Sequence, residues 1–206
     1  NDIGSTAGAY AQAYFGINKN EKSSKKYLQK EVTVDALTIN PYLGEDGIKP
    51  FIANKEKGAF ALVRTSNNSA GEIQDLELVN GQKVYEKVGE LVSRWGEKRI
   101  GEYGYSNLGA VIGANYPREL KILRENLAHT FFLLPGYGFQ GGSAADIKYG
   151  FDENKQGALV NSSRGIIFAY SREPWSQKYK EENFAEAARE AAVTMKEKIN
   201  QTLAGS

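Results

Sequence analysis

Cysteine is absent from these 206 residues, which excludes disulfides, thiolate metal sites and a cysteine nucleophile. A chain without thiols fits a reducing compartment, and the cytoplasm is the expected location. Histidine occurs once, at His129, with no HExxH or related cluster, so no metal site is expected. His129 follows the apolar stripe of a helix and precedes a strand, which reads as a structural or surface position. Apolar runs stay short of the roughly 18–20 residues that a membrane span needs, and no signal-peptide pattern is present. An excess of one charge is lacking too. The 26 Lys and Arg against 25 Asp and Glu leave +1, so no net field points to nucleic acid or to an anionic membrane.

What is present is alternation. Residues 32–39 are β-branched and mainly apolar and end at Asn40-Pro41-Tyr42-Leu43-Gly44, a strand running into a turn. Residues 59–64, 108–114, 131–134 and 158–161 read as four further strands. Between them, a short helix is expected around 47–53. Val84, Val88, Leu91, Val92 and Trp95 recur at helical spacing. Asn115-Tyr116-Pro117 opens another helix, with the stripe Leu120, Leu123 and Leu127. A helix over 7–15 is expected to take its N-cap from Ser5 or Thr6. The last helix carries Phe184, Ala188, Ala191, Met195, Ile199 and Leu203 on one face. Tyr10, Tyr14, Trp95 and that final stripe read as core or interface packing, and the basic run 19–30 as a solvated face. Strands that are nearly continuously apolar and alternate with helices argue for a parallel sheet covered by helices. An open doubly wound sheet is the runner-up, weakened because no GxGxxG or GxxxxGK[ST] follows the first strand.

Two loops concentrate the chemistry. Leu133-Leu134-Pro135-Gly136-Tyr137-Gly138-Phe139-Gln140-Gly141-Gly142 and Leu159-Val160-Asn161-Ser162-Ser163-Arg164-Gly165-Ile166 each run from a short strand into a turn of glycine or small hydroxyl residues. Such turns let backbone N–H groups approach an anion closely. Gln140 adds an amide donor, and Arg164 adds a planar charged fork suited to a phosphate dianion. Either loop alone reads equally well as a tight turn or a solvated charge; the pair favours a phosphate site. In parallel α/β barrels that site is frequently built by the loops after the last two strands. Other polar residues also cluster just after strand ends, at Asn40 and at Thr65-Ser66-Asn67. Five strands do not close an eight-stranded barrel, so three more are expected upstream of Asn1. With no initial methionine, the chain reads as one domain, 1–206, forming the C-terminal portion of one barrel.

Taken in order, Asp2-Ile3-Gly4-Ser5-Thr6, Leu37-Thr38-Ile39-Asn40-Pro41-Tyr42-Leu43-Gly44, Leu62-Val63-Arg64-Thr65-Ser66-Asn67, Val111-Ile112-Gly113-Ala114-Asn115-Tyr116-Pro117 and the two loops resemble the orotidine 5′-phosphate decarboxylase family, most closely its bacterial type-2 subfamily. Single blocks are weak signals; the ordered set is strong. The resemblance implies an α/β (β/α)8 TIM-type barrel, of which this chain supplies about the last five strand–helix units. It implies a homodimer that converts orotidine 5′-monophosphate to UMP without metal or organic cofactor. The family signature is Asp-x-Lys-x-x-Asp followed by Ile. Asp2 and Ile3 match its end, so the first Asp and the proton-donating Lys are expected just before Asn1, in an N-terminal part of the same enzyme.

By the same resemblance, Asp2 is catalytic and, with Thr6, reaches towards the partner subunit's substrate; Gln140, Arg164 and the Ser163 backbone N–H meet the phosphate, and Ile3 and Pro135 are further substrate-binding residues. The glycines beside Gln140 let its loop close as a lid. Thr65 and Ser66 meet the pyrimidine edge, with the choice between them open. Asn68, in place of a proline, and Phe139, in place of an alanine, depart from the family pattern. Two other readings stay open: a non-catalytic phosphate-binding fragment, and another phosphosugar lyase on the same barrel, which would use a metal held by acidic ligands.

Overall fold

All five expected strands form, each followed by helix. The computed structural model describes residues 3–16, 34–138 and 141–205. In chain order the elements are α1 (Gly4–Phe15), β1 (Ala36–Ile39), α2 (Glu45–Ile52), β2 (Gly58–Arg64), α3 (Gly71–Gln74), α4 (Val84–Gly96), β3 (Leu108–Ile112), α5 (Pro117–Asn126), β4 (Phe132–Pro135), α6 (Ala144–Ile147), β5 (Ala158–Asn161), α7 (Ser163–Ile167) and α8 (Phe184–Ala204). Residues 32 and 33 of the first expected strand, and the run 19–30, lie outside the described residues.

The strands pair in the order β1-β2-β3-β4-β5, every pair parallel. A doubly wound sheet reverses its strand order at a switch point. This one never reverses, so the open-sheet alternative falls and the sheet is an arc of the barrel type. Burial follows from the arc. All five residues of the central β3 are buried, as expected of a parallel strand covered on both faces. The edge strands β1 and β5 are half-open, and Leu159 is 55% exposed.

On β2, Ala59, Ala61 and Val63 are buried while Gly58, Phe60 and Leu62 between them are half-buried. This period-2 pattern puts one face of the strand under the helices. The alternation breaks at the end of the strand, where the register to β3 shifts between Leu62 and Arg64 and both Val63 and Arg64 are buried. Such a bulge re-aims one side chain. Here it turns Arg64 into the core.

Helix starts follow local chemistry. Pro117 sits in the first turn of α5, where its missing N–H costs nothing. The N–H of Lys83 donates to the Glu86 carboxylate at 2.7 Å at the start of α4. Ser143 and Asp146 cap α6 reciprocally. The expected cap of α1 is corrected. The helix begins at Gly4, extended Ile3 is the N-cap residue, and Ser5 and Thr6 already lie inside the first turn. Tyr10 and Tyr14 are 46% and 48% exposed and Trp95 is half-buried against the core. In α8, Ala187 and Ala191 pack on Ala169 with Trp175 and Tyr179, and Ile199 and Leu203 join the main core. Phe184 is 56% exposed, which takes it out of the stripe.

At the N-terminal ends of β4 and β5 a buried arginine acts as a spacer. Arg124 donates to the carbonyls of Leu127, Thr130 (2.9 Å) and Gly157 (3.4 Å), with its Cζ 4.0 Å from the Phe132 ring centroid. Beside it the Tyr105 hydroxyl donates to Asp152. Burial and that carboxylate push the Tyr105 phenol up to about 12. Burial works against ionisation of Asp152. The Tyr105 hydroxyl, the backbone N–H groups of Gln156 and Asn154, and Arg124 outweigh it, so its carboxyl sits below the ordinary value. His129 stays at the surface, with Nδ1 2.8 Å from the Gly104 carbonyl.

Candidate functional site

Because every strand pair is parallel, the residues that follow β2, β4 and β5 emerge on one side of the sheet. Ser66, Pro135, Gly136, Tyr137, Asn161, Ser162, Ser163 and Arg164 line a cleft of about 210 Å³ there. The register that brings its walls together pairs Pro135 with Asn161 at the ends of β4 and β5.

The loop after β4 is a folded-back turn. Gly138 N donates to the Gly142 carbonyl at 2.7 Å, Gly141 N to Gly138 at 3.0 Å and Gly142 N to Gly136 at 3.3 Å. Gly136 leaves the strand at φ +95°, a conformation that favours glycine. Gly142 comes back hard against the end of β3: a Cβ there would lie 2.7 Å from Ala114 Cβ and 3.1 Å from its backbone. The loop is tied to the next one by Ser162 Oγ, which donates to the Tyr137 carbonyl at 2.8 Å. Ser163 Oγ then donates to Asn161 Oδ1 at 3.1 Å. Ser163 also begins α7, and the first N–H groups of a helix have no acceptor within it. Arg164, one residue on, stands exposed at the rim. Burial pushes the Tyr137 phenol above its ordinary value.

The cleft brings a cationic fork, hydroxyls and helix-start amides together with Pro135, Tyr137 and Ser66. An anion with an attached planar or apolar group suits it. Among the described residues no cluster of three or more His, Cys, Asp and Glu is placed to hold a metal ion. No helix among them is long and apolar enough to cross a membrane.

Of the residues singled out in the sequence, Ser66, Pro135, Ser163 and Arg164 come together in the cleft. Thr65 does not. It lines a neighbouring pocket with Asn40, Tyr42 and Gln74 and is 9% exposed. Its amide donates to Gln74 Oε1 and its Oγ1 accepts from Gln74 Nε2, both at 3.0 Å. Ile3 and Thr6 sit apart at the start of α1, where Gly4 approaches the Asp46 carbonyl on α2. Asp2, Gln140 and Phe139 lie outside the described residues. The sequence reading missed Arg64 and Gln74. A charged residue as the last of an apolar strand was the available signal for Arg64, and Gln74 carried none.

Known proteins bear on the assignment. The chain is 44% identical over 202 residues to an orotidine 5′-phosphate decarboxylase of Rhodopirellula baltica, which covers 97% of this chain and 64% of that protein. It is 43% identical over 206 residues to an orotidine 5′-phosphate decarboxylase of Caldicellulosiruptor bescii, again covering 64% of the relative. The chain therefore spans about two thirds of the length of the curated relatives it matches. Among solved structures, the OMP decarboxylase of Leishmania donovani superposes with a TM-score of 0.70 at 29% identity, covering 98% of this chain and 65% of that one. The family model described as orotidine 5′-phosphate decarboxylase / HUMPS family matches residues 1–179. With five sequential parallel strands and a cleft at their C-terminal ends, the chain belongs to the orotidine 5′-phosphate decarboxylase / HUMPS family.

Proposed function

We propose that this chain is the C-terminal portion of one barrel, a single domain over 1–206, of an enzyme that decarboxylates orotidine 5′-monophosphate to UMP. The cleft shared by Ser66, Pro135, Tyr137, Ser163 and Arg164 is the observation that carries the reading. Arg164 and the helix-start amide of Ser163 take the phosphate, with Gln140 closing over it from the loop after β4. Pro135 and Tyr137 flank the ribose and base, and Ser66 meets the pyrimidine edge. Relatives named orotidine 5′-phosphate decarboxylase at 43–44% identity support the substrate class.

In the reaction the bond from C6 to the carboxylate breaks, CO2 leaves, and the electron pair left on C6 takes up a proton. The ring offers that pair no sink, so preorganised charge must stabilise it. Asp2 belongs to the alternating Asp/Lys array of the family signature, whose lysine gives the proton. Carboxylates on either side keep that lysine charged. The phosphate lies remote from the reacting carbon, so its binding energy is available for loop closure and for distortion at C6. A homodimer in the cytoplasm, with Asp2, Ile3 and Thr6 reaching the partner's substrate, completes the reading. It needs no metal or organic cofactor.

The experiment is UMP and uridine binding to the full-length protein and to Arg164→Ala. Loss of a charged hydrogen-bonding partner is expected to weaken UMP by about 2 kcal/mol, roughly thirtyfold, and to leave uridine unchanged. Equal losses for the two ligands would remove Arg164 from the phosphate site.

A further inference from the structure

The bulge at the end of β2 buries an arginine directly before the turn that reaches the cleft. Arg64 is 4% exposed, and its Cζ lies 4.1 Å from the ring centroid of Tyr116 and 5.4 Å from that of Tyr85. Nη2 donates to Asp75 Oδ2 at 3.0 Å, and Asp75 in turn pairs with Lys83 at 3.7 Å. Nη1 donates to Gln74 Oε1 at 3.3 Å. That bond fixes the orientation of the Gln74 amide, with the oxygen towards Arg64. Gln74 then grips Thr65 twice, accepting from its backbone N–H and donating to its hydroxyl. Thr65, the first residue after β2, is held on this side, and its neighbour Ser66 lines the cleft with Arg164.

Burying a guanidinium incurs a desolvation cost that an apolar side chain of similar size avoids. What the arrangement provides instead is direction. Arg64 orients the amide, and the amide holds Thr65, the neighbour of Ser66. Gln74 itself does not line the cleft and lies in the neighbouring pocket with Thr65.

We propose that Gln74 is a positioning residue, anchored by Arg64, that holds Thr65 away from the cleft so that Ser66 faces the base of a bound pyrimidine nucleotide. The inference rests on the nucleotide reading above and adds a residue to it. It predicts a defect confined to base recognition, because the phosphate end is built on other strands.

The test uses the full-length protein and two ligands, UMP and ribose 5-phosphate, which share the phosphate but not the base. Gln74→Leu keeps the bulk and removes both bonds to Thr65. It is expected to weaken UMP about tenfold, the loss of one to two neutral hydrogen bonds, with ribose 5-phosphate unchanged. Gln74→Glu retains acceptors for the Thr65 N–H and Arg64, and the Thr65 hydroxyl can turn round to donate, so it should restore most of the affinity. Thr65→Val removes only the hydroxyl bond and should fall between. Unchanged UMP affinity in Gln74→Leu, or equal losses for both ligands, would overturn the proposal. If Gln74→Leu does not fold, Thr65→Val decides: a loss for UMP alone supports the clamp, and no loss overturns it. A wild-type protein that binds UMP no better than ribose 5-phosphate would instead defeat the nucleotide reading. A base-dependent gain that survives Gln74→Leu would defeat only the clamp.

Discussion

Ser66 and Thr65 are neighbours with similar side chains and opposite situations. One lines the cleft with Arg164; the other is held on both its amide and its hydroxyl by Gln74. At a strand end, one residue of displacement turns a cleft group into an anchor. Gly142 shows the same sensitivity in a different form, because its backbone sits where a Cβ would lie 2.7 Å from Ala114 Cβ and 3.1 Å from the Ala114 backbone. The obstructing atoms are the Cβ and backbone of Ala114, in the turn after β3, whose N–H is tied to the Pro135 carbonyl at 2.8 Å, and they cannot swing aside. Gly142→Ala is therefore expected to push the loop after β4 off β3. Stability should fall by about 1–3 kcal/mol, as for overpacking, and UMP affinity should fall with it. Thermal denaturation and calorimetric titration check this, and a variant with unchanged melting temperature and unchanged affinity would contradict it.

Among the elements, β4 and β5 are the pair that carries the proposed phosphate site, and their opposite ends are fixed by Arg124, Tyr105 and Asp152. The pKa directions set a pH window. The Tyr105 phenol is raised from 10.0 to about 12, so its contribution to stability is complete below 10 and is lost as the pH rises through about 12. The Asp152 carboxyl is lowered from 3.8, so its contribution is present above that value and is lost as the pH falls through the lower, folded-state value. Tyr105→Phe should cost about 1.5 kcal/mol at pH 7 and make the acid limb of stability shallower. Urea denaturation at several pH values reads both, and an unchanged acid limb would remove Tyr105 from the Asp152 carboxylate.

Legibility also differs by element. The strands were readable because a parallel strand buried on both faces is a plain apolar run, as β3 is. Pro117 and the stripe of α5 marked that helix equally well. The start of α1 was not readable. Ser5 and Thr6 have capping side chains, yet the chain enters the helix two residues earlier through extended Ile3. The contacts of Arg64 and Gln74 were out of reach for a different reason. They depend on a register shift between two strands and on a side chain ten residues away, and neither leaves a periodic trace. Ser66, Pro135, Ser163 and Arg164 were legible because each lies at or just after a strand end, and parallel strands bring their ends to one side.

For the molecule as a whole, an unreversed order of five parallel strands makes an arc, with β1 and β5 as its edges. An arc gathers the loops that follow its strands, so Ser66 after β2 shares one 210 Å³ cleft with groups of β4 and β5 that lie about 70 to 100 residues further along the sequence. The central claim is that this cleft serves decarboxylation of a pyrimidine nucleotide. The measurement that tests it most directly is turnover of orotidine 5′-monophosphate by the full-length protein, followed by ultraviolet absorbance with and without EDTA. The account predicts turnover that EDTA does not change and whose kcat/KM Arg164→Ala lowers. Absence of turnover, or an EDTA-sensitive activity on sugar phosphates in its place, would contradict it.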